Sequence, residues 1–103
     1  MPTRREKLQA MLAQNPKDAF LAYGLAIEIQ KEGDEDGAID QFRQVIADHP
    51  DYQAAYFQLG QMLANLGQVD EARRTVESGI LAAQRIGDSH AAAEMEGFLL
   101  SLS

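Results

Sequence analysis

The sequence predicts an all-α fold, an α-α superhelix in which about six antiparallel helices form a solenoid. Three observations carry that prediction. The chain matches itself at one constant offset: Pro16 recurs as Pro50, Leu25 as Leu59, Gly33 as Gly67, Asp36 as Asp70, Ala38 as Ala72 and Ile46 as Ile80. The softer matches also fall on turn and packing positions, with Ala26 answered by Gly60, Ile29 by Leu63, Tyr23 by Phe57 and Phe42 by Val76. Strand alternation is nowhere evident, and connections of about two to four residues suit antiparallel helical neighbours. A fixed period of about 20–50 residues marks a repeat architecture, and the offset shared by these pairs is the length of one helix–turn–helix unit.

Each element has its own local reason. Thr3-Arg4-Arg5-Glu6 reads as a capping box, opening a first helix that runs to about Gln14, where Asn15-Pro16 ends it. A second helix spans about Lys17 to Glu32 and closes at Gly33, where a left-handed residue suits a C-cap. Asp34, Glu35 and Asp36 sit in the turn and first turn of the third helix, at the positive end of its dipole. That helix ends near Asp48, ahead of His49-Pro50. A fourth covers about Asp51 to Leu66 with Gly67 behind it, and a fifth covers about Val69 to Arg85 and stops at Gly87. Asp88 caps a sixth that runs to about Leu102. The expected organisation is one domain: a flanking helix in 1–16, repeats in 17–50 and 51–84, and a capping helix in 88–102.

Composition sets the class and excludes others. With 46% apolar and 24% charged residues the chain has an ordinary globular make-up. No apolar run approaches the ~20 residues that span a bilayer, and no apolar stretch follows the basic start. With no cysteine, disulfides and thiolate chemistry are absent, and a cytoplasmic location is expected. The net charge of −7 argues against nucleic acid, whose binding needs cationic contacts to phosphate. That charge is uneven: residues 1–17 carry +3 and the remainder −10. Two readings of the basic segment stand. It is a solvated helix, or it docks on the acidic body, its own or a second copy's.

Catalysis has no foothold. His49 and His90 fall at a helix end and an exposed first turn, far apart in the chain, with no cysteine or fixed-spacing partner. The Asp34-Glu35-Asp36 run lacks the order and terminal glutamate of a calcium loop, and there is no strand for a phosphate-binding glycine loop to follow. No catalytic residue, metal or cofactor is expected.

The pattern Leu25-Ala26, Ala38, Phe42 and Pro50, then Tyr56, Leu59-Gly60 and Ala72, resembles the tetratricopeptide repeat (TPR) family, in the form of a small stand-alone bacterial-type protein or domain. Small residues at Ala26, Ala38, Gly60 and Ala72 let helix axes approach, while Leu25, Leu59 and Phe42 fill the space beside them. Ala38 is expected against Leu25 and Ala26, and Ala72 against Leu59 and Gly60. The phase reaches backward, because Leu8, Met11 and Leu12 stand one period before Phe42, Val45 and Ile46; the first helix is similar to the second helix of an earlier unit. Arg4 in place of a small residue, Val76 in place of an aromatic and Gln84 in place of proline are departures. A capping box at Thr3 and a repeat that fades at the end favour a complete unit over an excised domain.

The resemblance implies a non-catalytic interaction scaffold, an adaptor whose first helices line a concave groove. The residues support such a face. On the second helix Leu21, Leu25 and Ile29 form one stripe, and Phe20, Tyr23 and Ile27 another roughly opposite. On the fourth, Leu59 and Leu63 face one way and Ala54, Phe57 and Gln61 the other. The expected groove is Phe20, Tyr23, Ile27, Phe57 and Gln61 with Gln58 and Asn65 as polar neighbours; Phe20 and Tyr23 packing on the first helix is the competing reading. The cationic clamp by which some TPR domains hold acidic chaperone tails is missing, since Tyr23, Ile27 and Gln58 occupy its positions. A neutral or basic protein or peptide is therefore the expected partner, with no nucleic acid and no membrane. The alternative is a self-associating module dimerising through the sixth helix or the groove. Met95, Phe98, Leu99 and Leu102 share a face there that is out of phase with the packing stripe, which continued would place Ser89, Ala93 and Gly97 on the core. Rotation of this helix to seal the stack is expected; an open strip would be a dimer seam.

Overall fold

The computed structural model describes residues 1–102. Among them are six helices and no strand: α1 (Arg4–Gln14), α2 (Ala19–Lys31), α3 (Glu35–Asp48), α4 (Gln53–Asn65), α5 (Val69–Arg85) and α6 (Ser89–Ser101). The chain divides into two compact units, Met1–His49 with α1 to α3 and a second from Pro50 onward with α4 to α6.

The helix ends follow from side chains near them. Thr3 Oγ1 accepts from the Glu6 N–H at 3.1 Å and Glu6 Oε1 accepts from the Thr3 N–H at 3.0 Å, so both halves of the capping box form. The Thr3 backbone N–H foremost, and the Thr3 hydroxyl after it, hold the Glu6 carboxyl below its ordinary 4.5. Asp18, Asp34 and Asp88 each accept from the backbone N–H three residues on, at 2.9–3.0 Å. Asp18 corrects the expected start of α2, which begins at Ala19 and not at Lys17. α4 likewise starts later than expected, at Gln53, one period after Ala19, and Asp51 before it accepts from Arg85 Nε at 2.7 Å. At the other ends, Gly33, Gly67 and Gly87 have φ of +87°, +83° and +76°. The residue after each donates back to the carbonyl five earlier: Asp34 to Ile29, Gln68 to Leu63, Asp88 to Ala83.

In the first unit, α1 runs antiparallel to α2. Leu8 lies over Gly24, and Arg4 pairs with Glu28 at 3.2 Å; Arg5 reaches Glu32 at 3.1 Å and Asp34 at 3.8 Å. The basic segment therefore docks on the acidic end of its own neighbouring helix. No residue of α1 is fully buried, so a shallow apolar contact and exposed ion pairs hold it. Under α2, Ala26, Ala38 and Phe42 are completely buried, with Leu25, Ile29, Ile39 and Val45 around them. Gln41 Nε2 donates to the Ala22 carbonyl at 3.2 Å, tying α3 to α2.

In the second unit Gly60 lies against Val76 and the Ala72 carbonyl, close enough that a Cβ on Gly60 would overlap Val76 Cγ2. A Cβ on Gly79 would stand 2.6 Å from Tyr56 Cβ and 2.8 Å from Met95 Sδ. Glycine there lets α4, α5 and α6 converge at one point. Tyr56 Oη donates to the Pro50 carbonyl at 2.7 Å, and Arg85 Nη2 donates to the same oxygen at 3.0 Å.

α6 corrects the expectation that it must leave the register. Its inward residues Ala92 and Met95 stand two periods beyond Gly24 and Ile27, and Gly24 is where α2 meets α1. α6 thus turns inward, at Ala92, the position that in α2 is Gly24 against Leu8 of α1. Ser89, Ala93 and Gly97 correspond to Leu21, Leu25 and Ile29, and in α6 they are exposed.

Candidate partner-binding surface

Phe20, Tyr23 and Ile27 lie on α2 in the first unit; Phe57, Gln58, Gln61 and Asn65 lie on α4 in the second. Phe20 is 72% exposed in the first turn of α2, a whole aromatic ring in solvent. Ile27 is half-buried. Tyr23 is half-buried as well, and its ring tilts at 60° over Phe42 with centroids 5.9 Å apart, so it leans into the core of its own unit.

On α4, Phe57 is half-buried and meets Phe98 edge to face, centroids 5.6 Å apart. Gln58 and Gln61 are half-buried beside it and Asn65 is exposed. The strip Met95, Phe98, Leu99 and Leu102 points into the second unit. Met95 is completely buried, and the other three are half-buried, Phe98 and Leu99 packing on Val76, Ala83 and Ala92. Sequence reasoning missed that α6 supplies the ring partner of Phe57. The signal was present in the two-period match of Ala92 to Gly24, which fixes the face α6 turns inward.

The histidines differ in role. His49 is the C-cap of α3, and His90 Nε2 lies 2.7 Å from Glu94 on exposed α6. Among the described residues no group of three or more acidic, histidine or cysteine side chains is placed to hold a metal, and no helix is long and apolar enough to cross a membrane. The surface carries apolar rings and amide side chains on its helix faces.

These helical hairpins, repeated at one fixed period and joined at small-residue contacts, define an α-helical repeat protein. A family model for the tetratricopeptide repeat matches residues 30–94, and the chain belongs to the tetratricopeptide repeat family. It is 32% identical over 97 residues to a TPR repeat-containing protein of Pseudomonas aeruginosa, covering 94% of this chain and 92% of that one. A Bordetella parapertussis protein solved in solution matches with a TM-score of 0.81 at 33% identity, over 99% of this chain and 89% of that one. PcrH, solved in complex with the chaperone binding region of PopD, shares the fold at 19% identity, with a TM-score of 0.85 over 95% of this chain and 74% of that one. TPR proteins bind protein or peptide partners, and the family and fold are generally those of non-catalytic interaction modules.

Proposed function

We propose that this chain is a cytoplasmic adaptor that takes a peptide or protein segment on the first-helix faces of its repeats. Phe20 and Ile27 of α2 and Phe57, Gln58, Gln61 and Asn65 of α4 are the contact residues, with Tyr23 supporting from behind. The observation that carries this reading is the exposure of Phe20: a ring left in solvent contributes nothing to its own unit, and interfaces draw on such anchors. The partner is neutral or basic, because like charges across an acidic surface oppose association. PcrH with its PopD segment supports the reading to the extent that the same fold there holds a peptide.

The test is a random peptide library panned on the whole protein, with selected peptides titrated by NMR. Phe20→Ala should weaken them by at least about tenfold while leaving the melting temperature unchanged, as expected for an aromatic anchor. Added salt should weaken basic peptides further. Peptides that bind wild type and Phe20→Ala alike, or that shift only residues outside α2 and α4, would remove this site.

A further inference from the structure

Each complete unit brings two helices together through small residues at one pair of positions. In the first unit these are Ala26 and Ala38, both completely buried; in the second, Gly60 lies against the Ala72 carbonyl. One period beyond Gly60 stands Glu94 of α6, and one period before Ala38 stands Arg4 of α1. Both departures put a charge where the repeat wants a small residue, and the charges are opposite.

Neither charge is deeply committed where it stands. The Arg4 side chain is 73% exposed while it pairs with Glu28, and that of Glu94 is 53% exposed while it pairs with His90. The exposed His90–Glu94 pair contributes little, so Glu94 changes partner at small cost, while Arg4 keeps Glu28, whose side chain is 16% exposed, and meets Glu94 alongside it. Around Glu94, the positions that in α2 are occupied by Leu21, Leu25 and Ile29 are exposed, and a Cβ on Gly97 would meet nothing within 4 Å. A cleft of about 340 Å³ opens beside them, where Gln84 and Gly87 face Ser89, Ala93 and Glu96. On α1, Lys7, Met11 and Gln14 follow Arg4 along one exposed side at i+3, i+7 and i+10, and Met11 is 50% exposed.

We propose that α1 of a second copy of this chain docks antiparallel on α6, with Arg4 of one copy against Glu94 of the other and Met11 in the cleft at Gly87 and Ser89. The contact is heterologous: the head of one copy meets the tail of the next, and the two helices together rebuild a helical hairpin. Charge excludes the symmetric arrangements. Two α6 faces would set Glu94 and Glu96 against their own kind, and two α1 faces would do the same with Arg4 and Lys7. Opposed, the faces complement each other.

Sedimentation velocity of the whole chain at low salt, from micromolar to millimolar concentration, tests this. Wild-type mass should rise with concentration. Arg4→Glu and Glu94→Arg should each weaken association by at least about tenfold, and both changes in one chain should restore it. Ala93→Arg blocks the tail and Met11→Glu the head; each should be a monomer alone, and an equimolar mixture should give two-chain species and nothing larger. Circular dichroism checks the fold. If Arg4→Glu loosens α1 from Glu28, Glu94→Arg and Ala93→Arg, which leave α1 untouched, decide. A wild-type mass of one chain throughout overturns the proposal, as does association that survives Glu94→Arg. A charge-swapped chain that stays monomeric, or a blocked mixture that never pairs, overturns it too.

Discussion

The two units solve one packing problem with opposite choices. In the first, the aromatic sits on α3: Phe42 is completely buried, with Ala22 on α2 and Val45 on α3. One period later Phe42 becomes Val76, Ala22 becomes Tyr56 and Val45 becomes Gly79. The aromatic now sits on α4, ahead of the helix that carries Val76, and Gly79 opens the space its body needs. The difference teaches that the repeat period specifies where helices touch and how much volume must be filled there. Which of two facing residues supplies the volume is left free.

The largest effect should come from removing the first unit's solution outright. Phe42→Ala should lower stability by about 3–5 kcal/mol, as for other buried rings. Val76→Ala should cost clearly less, because Tyr56 carries the bulk in that unit. Equal losses in thermal or urea unfolding would break the comparison.

A smaller effect sharpens it. Gly79→Val alone should overpack against Tyr56 and Met95 at a cost of about 1–3 kcal/mol. Added to Tyr56→Ala, which recreates the Ala22 and Val45 pair of the first unit, the same change should cost far less. A double-mutant cycle should read a favourable coupling of about 0.5–3 kcal/mol. Additive losses would show that the two positions do not exchange volume.

The smallest effect lies at the chain start, where α1 depends on caps and surface contacts. The Glu6 carboxyl is held below 4.5 in the fold, so its contribution is present above that pH and fades as pH falls through the lowered native value. Protection of the α1 amides, taken relative to intrinsic exchange at each pH, should fall over that acid window and not above it. Thr3→Ala removes the hydroxyl that accepts from Glu6, and should shift this acid response measurably. A Thr3→Ala protein with the wild-type acid profile would show that the box does not govern α1.

Much of this architecture was legible in the sequence because its determinants are local. The three glycine stops and the Thr3–Glu6 box depend on residues within a turn of each other, and α5 lies where its pattern predicts. The starts of α2 and α4 were expected two residues early, since Asp18 and not Lys17 opens α2, and α4 begins one period after α2 does. The candidate site was legible as positions on α2 and α4, but the orientation of its rings was not. Tyr23 turns to Phe42 and Phe57 to Phe98 because each finds an edge or face across a helix gap, and spacing within one helix does not encode that. The docking of Arg4 and Arg5 on Glu28, Glu32 and Asp34 required knowing that α1 folds back antiparallel on α2.

The Pro50 carbonyl gives the second unit a property that follows from who shares it. Tyr56 at the beginning of α4 and Arg85 in the last turn of α5 both donate to that one oxygen, and Asp51 holds the same guanidinium. The far ends of the hairpin are therefore tied like a drawstring. Fraying at the exit of α5 loosens the entrance of α4, although the length of the whole hairpin separates them along the chain. At the corresponding place α2 is capped by its own Asp18, so its first turn can open and close without consulting its neighbour.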